Sequence, residues 1–76
     1  LVRDVAAAVG ALRGTGLLKP PGVAETIDWT RALSMLGAQT LTLEDAQATL
    51  GAAIKYREDQ VRVRRELLPE LVERLA

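Results

Sequence analysis

Apolar residues recur along this chain at spacings of three and four, the pattern of helices that each bury one stripe. From Leu1 to Arg13 the stripe is Val2, Val5, Ala6, Val9 and Leu12, with Arg3, Asp4 and Arg13 off it, which predicts an amphipathic first helix. Gly14 and Gly16 end it, because glycine accepts the left-handed conformation in which helices often close. Leu17 and Leu18 continue the apolar face. In Lys19-Pro20-Pro21-Gly22 each proline fixes its own φ, lacks an N–H donor and biases the preceding residue toward extended geometry. This segment is a short, stiff, extended connector.

A second helix is expected from about Val23 to Leu36, with Glu25 in its first turn and Asp28 just beyond, where acids interact favourably with the positive end of the helix dipole. Around the helical wheel, Trp29, Ala32, Leu33 and Leu36 form one apolar arc and Val23 and Ile27 a second, so the helix is expected to be central and to touch more than one neighbour. Gly37 stops it. Thr42 then stands as N-cap with Asp45 at the third helical position, and Leu43, Ala46, Leu50, Ala53 and Ile54 give a third helix its core face as far as Lys55 or Tyr56. The remainder, residues 57–76, is a highly charged helix with Leu68, Leu71, Val72 and Leu75 at coiled-coil-like spacing. Pro69 predicts a kink or restart near Leu68. The fold class is all-α, one small bundle of about four helices, with Trp29, Leu33, Leu36, Leu50 and Ile54 as the expected core.

At 76 residues the chain is one domain with a modest core. Ten Lys and Arg balance ten Asp and Glu, so no long-range field draws the whole chain onto nucleic acid or anionic lipid. With neither Cys nor His, it has no disulfide, no thiol nucleophile, no imidazole base and no common zinc site. No apolar run approaches the ~20 residues that span a bilayer, and the expected compartment is the cytoplasm. The first residue is Leu1, not Met, which suggests a piece of a longer protein.

The sequence argues against a complete enzyme: it has no phosphate-cradling glycine loop, no metal-ligand cluster and no nucleophile beside a base. Glu44-Asp45 and Glu58-Asp59 are neighbours in sequence, do not face one another on a helix, and read as helix-start or surface acids. A helix-turn-helix reading around Gly37 is opposed by Glu44 and Asp45, which would head the recognition helix where phosphates repel carboxylates. The expectation is therefore no nucleic-acid partner. Tyr56, Arg57, Arg62, Arg64 and Arg65 form a possible protein interface or a solvated face.

One stretch is more specific. Leu17-Leu18-Lys19-Pro20-Pro21-Gly22-Val23-Ala24-Glu25-Thr26-Ile27-Asp28-Trp29, followed by Thr49-Leu50-Gly51 and Lys55-Tyr56-Arg57-Glu58-Asp59, resembles the C-terminal lid of MoxR-like AAA+ ATPases. That family commonly carries Lys-Pro-Pro, Glu-Thr-(Leu/Ile)-Asp-Trp, Thr-Leu-Gly and Lys-Tyr-Arg-Glu-Asp. The likeness covers about Val2 to Gln60.

The resemblance implies a non-catalytic helical lid that packs over a nucleotide held by an upstream AAA+ core of the same protein. It also implies a relay of nucleotide state to neighbouring subunits of a ring or to a client protein. ATP and magnesium would belong to the parent protein, with no cofactor held by this chain alone. Gly22, Val23, Ala24 and Glu25 would lie nearest the nucleotide. The family's sensor arginine is missing there: Ala24 or Glu25 stands in its place, and Arg31 lies about two turns further on. The alternative is a stand-alone helical interaction module.

Overall fold

A computed structural model describes residues 1–75 and is all-helical, with no strand among them. Helix α1 spans Val2–Arg13, α2 Val23–Met35, α3 Leu43–Thr49, α4 Arg57–Arg62 and α5 Leu68–Leu75. The backbone stays helical from α4 through a π turn, Val63–Leu67, into α5, so residues 57–75 form one rod. Four helical segments thus make a small all-α bundle. Ala76, the last residue of the expected C-terminal helix, lies outside the described residues.

Val5, Ala8, Val9 and Leu12 of α1 face Trp29 and Leu33 of α2, and Ala46, Leu50, Ile54, Val63 and Leu68 complete the core. The inner stripe of α1 differs from the expected one: Val2 is 67% exposed and Ala6 is exposed, while Ala8 is buried. Spacings of three and four fit two adjacent stripes on a helix, and the neighbours select the one through Ala8.

Trp29 is fully buried, and its indole N–H donates to the Thr49 hydroxyl at 2.8 Å, so its polar edge is satisfied. Leu33, Leu50 and Ile54 are buried as expected, but Leu36 is 56% exposed. The reason is the end of α2. Gly37, at φ 80, closes a Schellman motif in which Ala38 N–H donates to Leu33 O and Gly37 N–H to Ser34 O. The chain turns at Gly37, directly after Leu36, so Leu36 is the cap residue at the very end of α2, and Ala38, past the turn, packs back on the core.

Val23 and Ile27 also face outward, so α2 meets α1 and α3 through the Trp29 arc alone. Leu18, expected to continue the core beside Leu17, lies at a bend of the backbone and is exposed.

Helix α3 is shorter than its apolar pattern. The Thr49 hydroxyl donates to Asp45 O, the backbone tightens to a 3₁₀ turn at Leu50–Ala52, and Lys55 Nζ donates to the carbonyls of Gly51 and Ala52. Ala53 and Ile54 are buried in the turn that follows and not on a helix face. The interruption near Pro69 takes the form of the π turn. Leu68 N–H reaches back to Val63 O, so the wider π turn falls directly before Pro69, where the proline ring would otherwise crowd the preceding turn of the rod.

Trp29→Ala is expected to cost ~3–5 kcal/mol in urea unfolding followed by far-UV circular dichroism, a large share of the stability of so small a domain. Trp29→Phe, which removes the N–H to Thr49 and part of the ring, is expected to cost less than the alanine change.

Candidate functional site

The connector, the start of α2 and the start of α4 meet at one end of the bundle, and a buried carboxylate joins them. Asp59, the third residue of α4, is 3% exposed. Its Oδ1 accepts the backbone N–H of Leu18 and its Oδ2 that of Lys19, each at 2.9 Å. These are charge-assisted bonds of the stronger kind, made across about forty residues of chain. The surface-acid reading of Asp59 is therefore corrected. One signal for its burial was present in the sequence, since Asp59 stands four residues before buried Val63 and so lies in phase with the inner stripe of the rod.

The two bonds hold the chain just before Pro20 and Pro21, and Pro21 is itself fully buried. The start of α2 is set locally as well. Gly22 N–H donates to Glu25 Oε1 at 2.8 Å, and Thr26 Oγ1 donates to Gly22 O at 2.8 Å. A Cβ at Gly22 would stand 3.3 Å from that carboxylate oxygen, so glycine leaves room for the bond.

The Glu25 carboxyl titrates below its ordinary value. The Gly22 hydrogen bond is the main cause. Desolvation opposes it, and Glu25's own N–H and the cations Lys19 and Lys55 add to the lowering. Of the four residues expected nearest a nucleotide, Val23 and Ala24 are exposed, while Gly22 and Glu25 are half-buried and bonded to each other. An anion held at this helix start repels phosphate, while Lys19 and Lys55 act in the opposite sense.

The basic run after Tyr56 is divided by the structure. Arg57, Arg64 and Arg65 are exposed, with Arg64 Nη1 donating to Gln47 O at 2.9 Å and tying the rod to α3. Arg62 is half-buried and pairs with Glu66 at 3.5 Å. Tyr56 is 49% exposed and caps α4 through extended backbone, without a side-chain bond. The five residues do not form one patch. Tyr56, Arg57 and Arg65 face solvent, with half-exposed Val61 between the last two, while Arg62 and Arg64 have partners within the fold.

Among the described residues no three His, Cys, Asp or Glu side chains gather as a metal site requires, and no helix is long and apolar enough to cross a membrane. Comparison of the chain with protein-family models, curated proteins and solved structures gives no match.

Asp59→Asn replaces one acceptor with an NH₂ group facing a backbone donor, so one connector N–H is left without a partner. A loss of ~1–3 kcal/mol is expected, with hydrogen exchange at the Leu18 and Lys19 amides accelerating more than at core amides of α1.

Glu25 gives a pH signature. Because its folded pKa lies below the unfolded one, its contribution is complete above the unfolded value and is lost as pH falls through the folded value. Urea midpoints measured down through the acid range are therefore expected to fall more steeply for the wild type than for Glu25→Gln.

Proposed function

We propose that this chain is the helical lid subdomain of a MoxR-like AAA+ ATPase, resting on a nucleotide-bearing core that belongs to the same parent protein. One observation carries the reading. The separate pieces of sequence that resemble that family meet in space and bond to one another. Asp59 of Lys55-Tyr56-Arg57-Glu58-Asp59 holds the backbone leading into Pro20-Pro21, and Trp29 of Glu25-Thr26-Ile27-Asp28-Trp29 donates to Thr49 of Thr49-Leu50-Gly51.

In this reading the lid is a rigid accessory and not a chemical participant. Glu25 serves the helix start and no phosphate, and nucleotide state reaches ring neighbours or a client protein by movement of the lid as a body. The competing reading, a stand-alone helical interaction module, draws on the solvent-facing Tyr56, Arg57 and Arg65.

The sequence encoded directly upstream of Leu1 distinguishes the two. A P-loop ATPase core there supports the lid, and any other upstream sequence overturns it. Isothermal titration of the chain with ATP and magnesium is expected to show no appreciable binding, and micromolar binding would sink the accessory role. In the parent ATPase, Glu25→Gln is expected to change turnover by less than about threefold, whereas removal of a positioned acid or base costs on the order of a hundredfold.

A further inference from the structure

Every polar tie between the rod, residues 57–75, and the rest of the bundle lies in the rod's first half. Asp59 holds Leu18 and Lys19, Gln60 Nε2 donates to Ile54 O at 2.7 Å, and Arg64 Nη1 donates to Gln47 O. Among the described residues, α5 has no hydrogen bond or ion pair to another element, and its one polar pair, Arg74 with Glu70, is internal. Apolar contact alone fastens α5, and that contact is thin. Leu68 is fully buried, whereas Leu71, Val72 and Leu75 are only partly covered. A hollow of about 310 Å³ opens between α5 and Ala7 and Ala11 of α1, and another of about 540 Å³ between α5 and Leu41 and Leu43.

The backbone ladder of the rod is interrupted where its two halves join. Arg64 O would take its helical bond from Leu68 N–H or, in π geometry, from the residue after it. Leu68 N–H goes to Val63 O instead, and the next residue is Pro69, which has no N–H to give. The join thus combines a π turn with a proline, two of the features at which helices bend sharply. Bending there breaks no tie upstream, so Asp59 and the connector keep their bonds while α5 lifts.

We propose that α5 is a strap that opens as one unit about the Val63–Leu67 π turn, baring the flank of α1 and the chain before α3 that it covers. Burial of Leu68 holds the strap closed. The inference is independent of the lid reading, since it rests on the unbonded half of the rod and not on the connector end.

Native-state hydrogen exchange of the 76-residue chain in low concentrations of urea tests it. The amides of residues 71–74 are expected to share one opening, at least about tenfold more populated than the global unfolding that exposes the amides of Val9 and Leu12, and with a shallower urea dependence. The Val61 and Arg62 amides, upstream of the π turn, are expected to exchange with those of α1. Asp59→Asn separates the two processes. It weakens a tie that the open strap keeps, so it is expected to accelerate the Val9 and Leu12 amides and to leave the α5 amides within about twofold of the wild type. Circular dichroism checks its fold, and the wild-type pattern decides alone if that variant does not fold. The proposal is overturned if the α5 amides open only with α1, if their protection fades residue by residue toward Leu75 as in simple fraying, if Val61 and Arg62 open with them, or if Asp59→Asn accelerates both sets alike.

Discussion

Among the described residues the carboxylate of Asp59 is the one charged side chain taken inside, and the arrangement of the connector end depends on it. A buried anion is costly unless it is hydrogen-bonded, so the fold supplies two backbone donors, Leu18 N–H and Lys19 N–H. Satisfying Asp59 and placing the connector are therefore one event. The prolines behind those two amides leave the connector few alternative paths, and α2 starts where the connector ends. Displacing α4 without moving the start of α2 would mean breaking both bonds or bending the proline segment.

The same end of the molecule is where a functional reading concentrates. Glu25 spends its charge on Gly22 N–H, under the fields of Lys19 and Lys55, which makes the helix start self-sufficient. The opposite trade is visible in α5, which holds its place through Leu68 yet leaves a leucine stripe only partly covered.

Much of the helical layout was legible from spacing and capping residues. Thr42 accepts Asp45 N–H at 3.2 Å, as its position before an apolar run implies, and Trp29 lies fully inside. The readings that failed did so for one physical reason: periodicity states which residues share a face, not where a neighbouring element ends. Leu36 shares the arc of Trp29 and Leu33 but is the last residue before the Schellman turn, at the end of the bundle where no neighbour covers it. Leu18, Val23 and Ile27 are apolar, yet no element reaches them. In the candidate site, the Glu25 cap was readable locally, whereas the partners of Asp59 were not, because they lie some forty positions away.

Each of the first four helices has an acid as its third residue: Asp4, Glu25, Asp45 and Asp59. That regularity is a property of the sequence, and so is its local cause, the free N–H groups and positive dipole of a helix start. Whether an acid stays local or bonds elsewhere was decided by the tertiary structure. Glu25 turns back to its own cap, and the backbone N–H of Asp45 donates to Thr42. Asp4 reaches across to Leu41 N–H, and Asp59 to Leu18 and Lys19. A carboxylate bonds whichever unsatisfied donor lies within reach after packing, and packing alone brings donors thirty-seven to forty-one residues distant to the ends of α1 and α4.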